Sequence, residues 1–135
     1  MSYSNSGYAV AAYVVEKVSG QFFEDYVDSA LLNPLRMNHS TYFNDSLYQK
    51  WGAETYSWAM EKVNYKNELY RPSAALNSSP NDMAQVLKLL LNRGVIDSIK
   101  HFEVESIIRM EISQSKPSAR EGLELGYGPV SYTHL

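Results

Sequence analysis

Tyr3-Ser4-Asn5-Ser6-Gly7-Tyr8-Ala9-Val10-Ala11-Ala12-Tyr13-Val14-Val15-Glu16-Lys17-Val18-Ser19-Gly20 is the stretch on which the fold turns. Residues 8–15 are apolar without a break, as a buried strand would be, but the pattern continues through Glu16, Lys17 and Val18 and outlasts an ordinary strand. The segment therefore reads as a buried helix. Ser4, Asn5 and Ser6 are its N-cap candidates, and Gly20 is a residue able to stop it in the left-handed region. Burial on all sides implies that other elements cover it.

Working outward, Phe22, Phe23, Tyr26, Val27, Ala30 and Leu31 recur at three- and four-residue spacing, with Glu24, Asp25 and Asp28 on the opposite face. This predicts a second helix, ended by Pro34 because the residue before a proline, Asn33, is disfavoured in the α region. Residues 34–72 lose periodicity and read as loops with one or two short strands. Their aromatics, Tyr42, Phe43, Tyr48, Trp51, Tyr56, Trp58, Tyr65 and Tyr70, are expected to fill the core beneath those loops rather than to form a sugar-stacking platform.

The most consistent helix signals begin at Ser79 as N-cap, with Pro80 at the first helical position and Asp82 near the positive end of the dipole. Met83, Val86, Leu87, Leu90 and Leu91 form its apolar stripe, Lys88 and Arg93 lie near its end, and Gly94 stops it. A further helix is expected within 98–112, where Val104, Ile107 and Ile108 keep helical spacing. Past Ser113 the sequence reads as loop and then strand.

Composition narrows the function classes. With 44% hydrophobic and 20% charged residues in 135, the chain is an ordinary globular domain or part of one. A net charge of −3 with no basic run argues against nucleic acid as a partner. No window approaches the roughly 18 apolar residues of a membrane span. There is no cysteine, and His39, His101 and His134 share no ligand spacing, so no metal site is expected. The Asn-x-Ser triplets at Asn38, Asn44 and Asn77 are too short a pattern to carry weight.

The opening Tyr3-Ser4-Asn5-Ser6-Gly7-Tyr8, followed by Glu16-Lys17-Val18-Ser19-Gly20 and by Asn33-Pro34-Leu35-Arg36-Met37, resembles the serine β-lactamase-like family, which includes class C β-lactamases, D-alanyl-D-alanine carboxypeptidases and penicillin-binding-protein-like esterases. Arg36 stands where that family usually has Gly. Arg71-Pro72-Ser73-Ala74-Ala75-Leu76-Asn77-Ser78-Ser79-Pro80-Asn81-Asp82-Met83 is similar to its Pro-Ala-Gly-Gly-Leu-x-Ser-Thr-x-x-Asp-Met segment, with Ala74 and Ala75 in place of glycines. Gly126-Tyr127-Gly128 resembles its later Tyr-Gly-x-Gly stretch.

The resemblance implies an α/β (α+β) serine β-lactamase/transpeptidase-like fold for the whole protein, this chain supplying mainly helices and a few short strands. It implies a serine hydrolase working by acyl transfer on a β-lactam, a D-alanyl peptide or an ester, with no cofactor and no metal, in the periplasm or outside the cell. Tyr3 and Asn5 fall on the family's Tyr-x-Asn motif. In an extended segment residues two apart share a side, so both can face one cleft while Ser4 points away. A nearby lysine ammonium lowers the tyrosine's ordinary titration point near pH 10, which lets Tyr3 take a serine's proton or return it to the leaving group. Whether tyrosine or lysine is the base is argued within the family. The Asn5 amide, donor and acceptor together, would orient the lysine and the substrate.

The nucleophile motif Ser-x-x-Lys is expected ahead of Tyr3, and Lys-Thr-Gly or His-x-Gly after residue 129, so 1–129 reads as a hydrolase domain cut at both ends and inactive alone. Ser113-Gln114-Ser115-Lys116 spells the first motif, but out of order and beside Pro117, and reads as a chance match. Val130-Ser131-Tyr132-Thr133-His134-Leu135 resembles a translated transposase end sequence and is expected to be a non-native tail. The rival expectations are a non-catalytic binding member of the same fold and an unrelated helical interaction module.

Overall fold

The computed structural model describes residues 4–64 and 70–112. Its elements run α1 (Asn5–Ser19), α2 (Phe23–Val27) with a π-helical continuation (Asp28–Leu32), α3 (Ser46–Trp51), β1 (Thr55–Tyr56), β2 (Lys62–Val63), α4 (Arg71–Ala74), α5 (Pro80–Leu91), β3 (Val95–Ile96), β4 (Ile99–Lys100) and α6 (Val104–Glu111). Helices dominate and the strands form two antiparallel hairpins, as expected for this chain. The chain divides into two compact units, Ser4–Gln85 and one whose described part is residues 86–112; the division falls within α5.

In the first unit α1 packs against α2 and α4. Ser4 is extended (φ −148°, ψ 111°), and its hydroxyl accepts from the Gly7 amide at 3.2 Å, as an N-cap should. Gly20 closes the helix at φ 72°, its amide bonding to the Glu16 carbonyl, a single-bond left-handed cap. Glu16 also accepts from the Phe23 amide at 3.1 Å and so satisfies the first donor of α2. The helix is as read; its complete burial is not. Only Ala12 is buried, while Val10 (64% exposed) and Val18 (84%) lie open, together with Tyr8, Tyr13 and Val14.

The second helix departs from expectation at its face and in the way it ends. Glu24 is not outward but 4% exposed, its carboxylate held by Arg71 of α4. A buried carboxylate is tolerable only when so paired. The helix ends at Leu32, ahead of Pro34 as read, but not for the expected reason: its cap, Asn33, stays in the α region (φ −65°, ψ −48°). The π-helical turn absorbs the proline: Asn33 donates to the Asp28 carbonyl, and the amide that Pro34 lacks is never required. The turn that follows closes at Arg36, which is left-handed at φ 56°. Met37 N–H then bonds to the Leu32 carbonyl (2.9 Å) and Arg36 N–H to the Asn33 carbonyl (3.0 Å), a Schellman closure. Leu32 and Met37, its accompanying hydrophobic pair, are both 3% exposed. With Leu35, Tyr42, Ala12 and Ala75 they make the core of this unit, where Phe23 meets Tyr42 edge-to-face at 5.8 Å.

Within 34–72, where one or two short strands were expected, two are present as the β1–β2 hairpin, but helices α3 and α4 lay unread in the aromatic stretch. The aromatics do not fill the core as expected. Tyr42 alone is buried and Tyr48 half-buried; Phe43, Trp51, Tyr56 and Tyr70 are exposed, and Trp58 stands free at the hairpin tip. Tyr65 lies outside the described residues.

Helix α5 starts as read, with the Asp82 amide donating to Ser79 Oγ at 3.1 Å. Its inward residues are Asp82 and Leu89 rather than the expected stripe; Met83, Leu87 and Leu91 are exposed. Its end is a second Schellman closure through Arg93 (φ 53°), with Gly94 one residue later. In the second unit, β3 and β4 pair across Asp97 and Ser98, both at positive φ, the signature of a type I′ turn. This hairpin takes up the beginning of the segment read as helix; α6 occupies the remainder and buries Ile107.

Candidate functional site

Of the two predicted site residues, Tyr3 lies outside the described residues and Asn5 lies within them. Ser4 is extended and turns its hydroxyl onto the helix end. Asn5 is the first residue of α1. Its Oδ1 is buried and has no hydrogen-bond partner among the described residues. An unmatched buried acceptor costs about 1–3 kcal/mol, a cost usually offset by a donor the site is meant to receive. Among the described residues no group of three metal-ligating side chains converges. Gly126, Tyr127, Gly128 and the Ser113–Lys116 match lie outside the described residues, as does the suspected tail.

A second constellation was not singled out from the sequence. Asp82 is buried, and its Oδ2 accepts from the His39 amide (2.7 Å) and the Ser40 hydroxyl (2.8 Å), while Ser40 Oγ lies 2.8 Å from Ser78 Oγ. An antiparallel bridge between Thr41 and Asn77 fixes the two segments together. Beside them lies a cleft of about 480 Å³ lined by His39, Leu47, Trp51, Gly52, Ser78 and Pro80, among others. The available signal was the Ser-x-x-Asp spacing of Ser79 and Asp82, which marks a helix start and says nothing of a carboxylate turned inward.

The helices and paired short strands are those of one portion of the serine β-lactamase and penicillin-binding-protein fold. The octameric penicillin-binding protein homologue from Pyrococcus abyssi superimposes with a TM-score of 0.74 at 28% identity, covering 93% of this chain and 29% of that one. A β-lactamase/D-alanine carboxypeptidase from Pseudomonas syringae gives a TM-score of 0.75 at 15% identity, covering 93% and 34%. The Beta-lactamase family model matches residues 1–129, and the chain belongs to that family. A relative is the teichoic acid D-alanine hydrolase of Staphylococcus aureus (strain MRSA252), 24% identical over 89 residues. That match takes in 63% of this chain and 22% of the relative; the chain spans between 14% and 22% of the curated relatives it matches. No helix among the described residues is long and apolar enough to cross a membrane.

Proposed function

We propose that this chain is a portion of a serine hydrolase that transfers acyl groups through a covalent acyl-serine, with Tyr3 moving the proton and Asn5 orienting the reacting groups. The serine oxygen attacks a carbonyl and its proton passes to the Tyr3 oxygen; Tyr3 then hands that proton to the departing nitrogen or oxygen. Water releases the acyl group by the same route in reverse. The serine and its lysine lie, on this reading, in residues outside the 135, so the chain alone acylates nothing. The substrate is a β-lactam, a D-alanyl peptide or an ester. The D-alanine hydrolase among the relatives favours a D-alanyl carbonyl. No metal or organic cofactor enters.

The observation that carries the proposal is the buried, unmatched Oδ1 of Asn5 at the start of α1, in a member of the Beta-lactamase family. The test is labelling of the full-length protein by a fluorescent penicillin. Tyr3→Phe is expected to slow labelling by about 10²–10⁴-fold, the range for a lost acid–base group. Labelling at the unaltered rate removes Tyr3 from the mechanism, and a protein that neither labels nor releases D-alanine from its esters is a non-catalytic member of the fold.

A further inference from the structure

We infer that the cleft beside Asp82 binds a saccharide ring. Proton accounting sets its polarity. Ser40 has one hydroxyl proton, and the Asp82 carboxylate takes it at 2.8 Å. In the 2.8 Å Ser40–Ser78 pair Ser78 therefore donates, in preference to the longer 3.4 Å contact of its hydroxyl with the Ser79 carbonyl. Ser78 is exposed and lines the cleft, so its oxygen turns lone pairs toward whatever enters, and the chain running back to a carboxylate strengthens it as an acceptor. The occupant must bring a donor there.

Charge narrows the class further. A cation meets the Lys50 ammonium, which already lies 5.0 Å from the Trp51 ring centroid. An anion meets the acceptor relay ending on Asp82. A neutral molecule rich in hydroxyl donors meets neither objection. The walls favour one with an apolar face: Leu47, Pro80 and Ala53 are aliphatic, and Trp51, 59% exposed at the end of α3, is set edge-to-face with His39 at 5.4 Å. The Lys50 ammonium covers one face of that ring. Gly52 keeps the opening, since a Cβ there would stand 2.5 Å from the Tyr48 carbonyl oxygen and 2.8 Å from its ring. At about 480 Å³ the cleft falls within the roughly 300–1,000 Å³ usual for small-ligand sites. A sugar, with C–H faces and hydroxyl edges, matches walls and acceptor together. Asn5 does not line the cleft, so saccharide binding stands or falls apart from the catalytic proposal.

Of the two tryptophans in these 135 residues, Trp58→Phe leaves Trp51 alone to report, and an emission change that Trp51→Ala removes belongs to the cleft. The full-length Trp58→Phe protein is titrated with N-acetylglucosamine and with its trisaccharide, following tryptophan emission, and affinities are repeated by calorimetry. Saturable emission change is expected, with affinity reduced about tenfold by Ser78→Ala and abolished by Trp51→Ala. Equal affinity for the two sugars assigns a single-ring site, and tighter trisaccharide binding a site for a chain; both support the inference. No saturable change with either sugar overturns it, as does calorimetric binding that Ser78→Ala and Trp51→Ala leave intact. Ser78 is exposed, so loss of fold does not account for its effect.

Discussion

Ser40 gives its hydroxyl proton to Asp82 across 2.8 Å, joining two segments 42 residues apart. The His39 amide reaches the same oxygen at 2.7 Å. Removing the buried carboxylate leaves the Ser40 hydroxyl and the His39 amide without this acceptor. Asp82→Ala is expected to destabilise the full-length protein by about 3 kcal/mol, the range for losing hydrogen bonds to a charged group, and to leave the His39 amide open to exchange. Asp82→Asn keeps an acceptor and should cost less. Denaturant midpoints, with amide exchange at His39, check both; a protected His39 amide in Asp82→Ala would mean the carboxylate does not hold this junction.

Arg36 occupies the left-handed position of a Schellman closure at φ 56°, where a Cβ is strained and the family usually places Gly. Arg36→Gly relieves that strain while adding freedom to the unfolded chain. The relief is the larger effect, so the variant should gain about 0.5–1 kcal/mol, read as a rise of a few degrees in Tm for a domain of this size. The Arg36 side chain is exposed and forms no ion pair among the described residues, so nothing else is given up.

Two neighbouring carboxyls respond to pH with opposite signs. The Thr41 hydroxyl at 2.6 Å, helped by the Tyr48 amide, holds Asp45 below the usual carboxylate range. Its contribution is present above the unfolded value and is lost as pH falls through the lower folded one. Asp28 is raised, first by burial and then by Asp25, Asp45 and Glu24. Its ionisation costs stability, so what it contributes is full below the unfolded value and is lost as pH rises through the higher folded one. Asp28→Asn should therefore stabilise at neutral pH and lose that advantage in acid, whereas Asp45→Asn, which keeps the helix cap, should remove the acid-side decline attributable to Asp45. Denaturation midpoints from about pH 3 to pH 7 read both slopes; parallel profiles for the two variants would contradict the assignment.

How much of this was legible in the sequence depended on whether the signal was local. Ser4, Gly20 and Ser79 mark helix ends through bonds to residues three or four away, Pro80 marks one by lacking an amide the first turn does not need, and each stands where it was read. Family membership was legible because ordered motif blocks are also local. The inward turn of Glu24 was hidden because its cause is Arg71, 47 residues on. Pro34 marked the end of the second helix correctly, but Asn33 stays helical because a π-helical turn can spare the amide a proline lacks. The Asp97–Ser98 hairpin was missed because neither residue is glycine, the usual mark of a type I′ turn. The aromatics of 42–70 were assigned to the core on frequency alone, and frequency does not say which way a ring points. The Asp82 cleft needed three segments brought together, which no single stretch of sequence displays.

Asn5 offers a test in which stability and activity move in opposite directions. Its Oδ1 is buried and unmatched among the described residues, so in the isolated chain that atom is a cost. Asn5→Leu, close in shape and without the acceptor, is expected to leave the 135-residue chain as stable or up to about 1–3 kcal/mol more so. In the full-length enzyme the same change removes the group proposed to orient lysine and substrate, and acylation by a fluorescent penicillin should fall by about 10²–10³-fold, as when one polar group aimed at the reacting centre is lost. A residue that only caps or packs would move both measurements the same way. Opposite movement is what a site built to receive a donor produces, because the cost of the empty acceptor is the counterpart of its use in catalysis. Asn5→Leu that weakens the isolated chain and leaves acylation untouched would make Asn5 a structural residue at the start of α1 and nothing more.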